Sequence, residues 1–123
     1  MFDYRAVLVR VVDGDSAVLL LDVGMGVRVE EAVRLLNVSA PEHNQPGGME
    51  SRDFAAAWFG QCSAARRWPL RVVTVPNTTL EPNERRTFIR YLAIVSDIVT
   101  PARVLNADLA LFLSQHPEWG HGI

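Results

Sequence analysis

The sequence predicts a mainly β, α+β chain: a five-stranded Greek-key barrel of the OB type with two to three helices. Three observations carry that reading. Apolar residues alternate with period two in five short runs, and a helical period takes over between the third and the fourth. The length of 123 residues suits one core, and so a single domain over 1–123.

The first two strands lie within "YRAVLVRVVDGDSAVLLLDVG", where Asp13-Gly14-Asp15 signals a turn. "VRVEEAVRLLNV" reads as the third strand, after a Gly24-Met25-Gly26 hairpin. In a regular strand Val27, Val29, Val33 and Leu35 share one face, and Glu30-Glu31 marks either a bulge or the hairpin's wet end. From 49 to 66 the period lengthens. Phe54, Trp58 and Cys62 recur at i, i+4 and i+8, and Ala55 pairs with Phe59, which predicts an amphipathic helix. "PLRVVTV" is the fourth strand, 76–84 a polar loop, and "TFIRYLAIV" the fifth strand. Thr100-Pro101 reads as an N-cap followed by proline in the first helical position, opening a second helix that runs to Leu113. The tail "HPEWGHGI" shows no pattern.

Composition narrows the function classes. No apolar run reaches the ~18 residues that a membrane-spanning helix needs. Asp3 and Arg5 interrupt the first ten residues, which does not suit a signal peptide, and Cys62 is the lone cysteine. A cytoplasmic location without membrane association is expected. Formal net charge is −2, so bulk charge does not attract nucleic acid. Its distribution is uneven. All 12 Lys-or-Arg positions are arginine, and Arg66, Arg67, Arg71, Arg85, Arg86 and Arg90 crowd one stretch. The guanidinium fork donates two parallel hydrogen bonds to a phosphate, which makes Arg85 and Arg86 candidates for binding substrate.

Four elements can carry chemistry: the Asp13-Gly14-Asp15-Ser16 turn, Arg34 near the end of strand three, Glu42 just past it, and Arg90 inside strand five. Each alone has an ordinary structural explanation. Arg10 and Arg28 read as arginines on a wet strand face, His43 and Asn44 as polar loop residues, and Cys62 as core.

Together the motifs resemble the staphylococcal (thermonuclease-like) nuclease family. "VVDGDS" stands for the family's V-x-D-G-D-T, and "VRLLNVSAPE" for V-R-L-x-G-I-D-A-P-E. "GGMESRDFA" stands for G-x-E-S-x-x-x-A, "RTFIRYLA" for D-x-Y-G-R-x-L-A, and "VLNADL" for L-N-x-x-L. These matches follow the family's order and cover most of the chain. The resemblance implies a metal-dependent endonuclease that hydrolyses phosphodiester bonds of DNA or RNA with low sequence specificity. It implies that Asp15 ligates a catalytic divalent ion, calcium by resemblance. Arg34 and Arg90 would hold the scissile phosphate, and Glu42 would act as general base. The chain departs from the pattern at several places. Ser39 stands where the family has its second metal-ligating aspartate, so the expected calcium affinity is low. Ile89 replaces a glycine, Phe88 a tyrosine and Arg86 an acidic residue, while Asn37 replaces a glycine whose left-handed backbone it can share. A second reading follows from Ser39: a catalytically impaired, nuclease-like module that binds nucleic acid or protein.

Overall fold

The alternating first third of the chain becomes three antiparallel strands, β1 (Phe2–Asp13), β2 (Ser16–Asp22) and β3 (Arg28–Leu35). The computed structural model describes residues 2–62, 67–76 and 91–119. The polar loop and the opening of the fifth strand fall outside them. Helix α1 (Gly48–Gly60) follows β3, then β4 (Leu70–Pro76), β5 (Tyr91–Asp97) and helix α2 (Leu105–Ser114). The strands close into a barrel in the order β1-β2-β3-β5-β4. Every pairing is antiparallel except β3 with β5. That is a five-stranded barrel of the OB type, as the sequence predicts. Among the described residues no helix is long and apolar enough to cross a membrane.

Leu19, Val33, Leu70, Val72, Ala93 and Val95 fill the barrel, and α1 lays Trp58 and Phe59 onto them. Phe54 stacks on Phe112 of α2 at 4.5 Å, and the Trp58 indole N–H donates to Asp108 at 2.8 Å. The Phe54/Trp58/Cys62 stripe thus joins the core to the second helix.

Several local expectations change. The bulges lie in β1, where pairing with β2 shifts between Leu8 and Arg10 and again between Val11 and Asp13. β3 pairs with β2 without a shift from Arg28 to Arg34, so Glu30 simply faces solvent. The hairpin turns through positive φ at Gly24, Met25 and Gly26, which leaves β3 nothing to correct. Exposure along its inner face falls from 53% at Val27 to 1% at Val33, because the hairpin reaches beyond the barrel. α1 ends at Gly60, before the expected 66. Glycine is a poor helix former, and a tighter Cys62 N–H to Phe59 carbonyl bond follows it. Residues 63–66 lie outside those described.

α2 begins at Leu105 rather than at Pro101. Thr100, Pro101 and Ala102 form a turn closed by the Arg103 N–H on the Thr100 carbonyl, and Ser96 bridges to Val104. Buried Asp97 drives this excursion. It takes the Arg103 guanidinium at 3.0 Å and the Val99 N–H at 2.9 Å. A buried carboxylate needs such partners, and the chain must leave the helical path to supply them. Arg103 also lies over the Trp58 ring, 5.0 Å from its centroid.

Asn106 of "VLNADL" staples the barrel shut. Its amide nitrogen donates to the carbonyls of Leu36 at 3.0 Å and Ala93 at 2.9 Å, and its oxygen accepts the Val95 N–H at 3.0 Å. Three backbone groups near the β3–β5 seam thereby find a partner on α2. Asn106→Leu removes the partner of the Leu36 carbonyl and of the Val95 N–H, while the Ala93 carbonyl keeps the Leu36 N–H at 2.9 Å, and we expect it to cost about 2–4 kcal/mol in chemical denaturation, against about 1 kcal/mol for an ordinary hydrogen-bond loss.

Burial, with Asp97 adding to it, pushes the Cys62 thiol above its ordinary range, and Arg103 offsets part of this. The fold therefore favours the neutral thiol. That stability is fully present below the ordinary thiol pKa and is lost as pH rises through the raised folded value. In the native protein Cys62 should react with a disulfide reagent at least about tenfold more slowly than in denaturant. Equal rates at neutral pH would contradict this placement.

Candidate functional site

The turn between β1 and β2 sets one wall of the site. Gly14 is there for space: a Cβ would stand 2.8 Å from the Ser51 Cβ and 3.1 Å from the Ala40 Cβ. Ser51 is fully buried in α1 and donates its hydroxyl to the Gly47 carbonyl at 2.7 Å. The helix therefore rests directly on the turn and fixes the residues beside it. Asp15, 6% exposed, follows at once. One of its oxygens accepts from the Ser16 hydroxyl at 3.2 Å; the other takes the Ala40 N–H at 3.1 Å.

Arg34 enters from β3, paired with Ser16 on one side and with Leu92 of β5 on the other. Its guanidinium lies 3.7 Å from Asp15 through Nε and 3.5 Å from the Ser39 hydroxyl through a terminal nitrogen. Both contacts are long and the side chain is half exposed, so the guanidinium is aimed rather than locked. Beyond β3 the chain turns through left-handed Asn37 (φ 62°) and runs under buried Pro41 to Glu42.

The Glu42 loop is held from three sides. The Asp13 carboxylate accepts the His43 N–H at 3.0 Å and faces the His43 ring at 3.3 Å. The Gln45 side chain accepts the Glu42 N–H at 3.2 Å, and the Gln45 N–H returns to the Glu42 carbonyl at 2.9 Å. Gly48 allows the third contact, because any Cβ there would run into the Glu42 carbonyl. Trp119 packs so closely over left-handed Gly47 that a Cβ at Gly47 would enter its ring. Trp119 is also stacked on His116 at 4.1 Å. The unpatterned tail thus buttresses the loop that carries Glu42.

These elements enclose a pocket of about 260 Å³ lined by Asp13, Asp15, Ser16, Arg34, Ser39, Ala40, Glu42 and Gln45. Of the residues singled out in the sequence, Asp15, Arg34, Ser39 and Glu42 come together here. Arg90, Arg85 and Arg86 lie outside the described residues. Sequence reasoning missed Asp13 as the latch of the Glu42 loop and Gln45 as its inner brace. The signal for Asp13 was its place in the Asp-Gly-Asp turn. His43 is engaged by Asp13.

The pocket offers hard oxygen donors, the kind a calcium-like ion takes. It offers few that are anionic and uncommitted. Asp15 is already bonded through both oxygens, and Ser39 contributes a neutral hydroxyl. Among the described residues no three His, Cys, Asp or Glu side chains gather as a ligand set. The donors therefore fit a divalent cation in kind, and only a loosely held one. Among the described lining residues carboxylates outnumber guanidinium groups, so a cation bound there would ease the entry of a phosphate.

Gly14→Ala should cost about 1–3 kcal/mol in urea denaturation, through overpacking against Ser51 and Ala40. Gly48→Ala should cost more, because the obstacle is backbone, and it should also displace the Glu42 loop. A Gly48→Ala protein of unchanged stability would contradict this close approach.

No protein-family model matches the chain, and a search of the curated proteins returns no match either.

Proposed function

We propose that this chain is a metal-dependent phosphodiesterase that cleaves DNA or RNA with little sequence preference. The observation that carries this reading is the shared pocket of Arg34, Asp15 and Glu42 at the exit of β3. Phosphodiester cleavage places developing charge on the non-bridging oxygens, and the half-exposed Arg34 fork can donate to them. Glu42 is exposed at the pocket rim and can accept the proton of an attacking water. Asp15, helped by the Ser39 hydroxyl, would hold the divalent ion, which when bound would polarise a phosphoryl oxygen. Ser16 and Ala40 keep the Asp15 carboxylate in place by hydrogen bonds, so its position does not depend on the ion. The resemblance of "VVDGDS" and "VRLLNVSAPE" to the staphylococcal nuclease family supports the same assignment.

A second reading is a nuclease-like module that binds nucleic acid or protein without cutting. The observation in its favour is the internal satisfaction of Asp15, with a neutral serine opposite.

The test is cleavage of single- and double-stranded DNA and RNA with calcium, magnesium, manganese or EDTA. Cleavage should need an added divalent ion in excess. Glu42→Gln should lower the rate about 10²–10⁴-fold, and Arg34→Ala about 10²–10³-fold. Ser39→Asp adds an anionic ligand, so half-maximal cleavage should shift to lower metal concentration, with a smaller change in the saturated rate. Binding of oligonucleotide with no cleavage under any ion would favour the second reading. Cleavage that survives Glu42→Gln unchanged would remove Glu42 as the base.

A further inference from the structure

The outer face of the β1–β2–β3 sheet carries a second concavity, a groove of about 320 Å³ lined by Arg10, Val12, Ser16, Ala17, Val18, Ala32 and Val33. Ser16 lines this groove and the Arg34 pocket alike, so the two adjoin. Strand register explains the alignment. Ser16 pairs with Arg34, and two residues further along β2, Val18 pairs with Ala32 on one side and Arg10 on the other. Side chains two apart on a strand share a face, so Arg34, Ser16, Ala32, Val18 and Arg10 all point outward. Two strand spacings and two residue rises put the Arg10 and Arg34 backbones about 12 Å apart.

The groove's floor is apolar and its far end is cationic. Val18 is only 6% exposed although it faces out of the barrel, and Ala32 beside it is half-buried. Arg10 is exposed. The carboxylate on the next outward row, Glu30, does not line the groove.

We infer that this groove is a subsite for a single-stranded nucleic acid, resting on the function proposed above. The scissile phosphate lies at Arg34. The adjoining nucleotide lays the face of its base over Val18 and Ala32, and a neighbouring phosphate pairs with Arg10. Charge complementarity to the exposed Arg10 and the groove's place beside the Arg34 pocket both select this occupant. A duplex keeps the faces of its bases stacked on one another and shows only base edges and backbone, so it cannot lay a base face on an apolar floor. The site therefore prefers unpaired strands.

The experiment measures fluorescence anisotropy of labelled oligothymidylate, and of the same strand paired with oligoadenylate, in EDTA across a salt series. Arg10→Gln should weaken single-strand binding about 3–10-fold and reduce the slope of log K against log salt by about 0.7, one phosphate contact on a single strand. Duplex binding should hardly change. Ala32→Phe, which fills the groove, should also weaken the single strand selectively, with thermal unfolding confirming that it folds. If it does not fold, the exposed Arg10 variant decides alone. Absence of single-strand binding by the wild type, an unchanged salt slope in Arg10→Gln, or equal losses on strand and duplex would overturn the inference. Hydrolysis of bis(p-nitrophenyl) phosphate by the wild type reads the Arg34 pocket separately. A groove effect without hydrolysis removes the nuclease reading and leaves the groove; hydrolysis without a groove effect does the reverse.

Discussion

The parallel contact between β3 and β5 is the constraint on which the rest depends. Among the described residues it consists of Val33, Leu35 and, between them, Arg34, set against Tyr91, Ala93 and Leu92. Parallel pairing is the weaker kind per residue, and this stretch is short. It is nonetheless what turns an open sheet into a barrel. Asn106 compensates from outside by binding the carbonyls of Leu36 and Ala93 with one amide group. The same three residues of β3 that close the barrel carry the guanidinium of the candidate site. Barrel closure and the aim of Arg34 are one structural event.

The loop that carries Glu42 has no regular secondary structure, and its order comes from close approach. Two glycines, Gly14 and Gly48, mark places where backbone or helix comes nearer than a Cβ allows. Asp13 and Gln45 supply the polar ties, and Trp119 covers Gly47 from the second helix's side. Among the described residues the walls of the pocket are thus held in place, and the half-exposed Arg34 guanidinium is held less tightly.

Strands and barrel were legible in the sequence because burial imposes a period of two, and α1 because Phe54, Trp58 and Cys62 impose one near four. The helix boundaries were less legible. Thr100-Pro101 has the chemistry of a helix start, yet buried Asp97 requires Arg103 nearby and delays the helix to Leu105. Long-range polar partners of this sort leave no local pattern. The same holds for Asn106, which looks like any surface asparagine until its three backbone partners from distant strands are seen. At the site, Asp15, Arg34, Ser39 and Glu42 were found by motif, whereas Asp13, Gln45 and Trp119 act through contacts between segments far apart in the chain. Arg10 was read as an arginine on a wet face. It is on one, and the groove beside it depends on lateral strand register that a single strand cannot reveal.

The bulges of β1 have a consequence for how this chain could vary in length. Nine residues of β1, Arg5–Asp13, run against seven of β2, Ser16–Asp22. The two surplus residues are slack. Removing one near Val9 would straighten the strand while leaving Ala6 and Val11 facing inward and Arg10 outward. β2 and β3 pair residue for residue and have no such reserve. A single deletion in β3 between Arg28 and Val33 would exchange inward and outward positions on one side of the gap, setting valines against solvent and charged residues against the core. Among relatives of this chain, indels should therefore be tolerated in the first strand and purged from the next two, a record of register written in length rather than in residue identity.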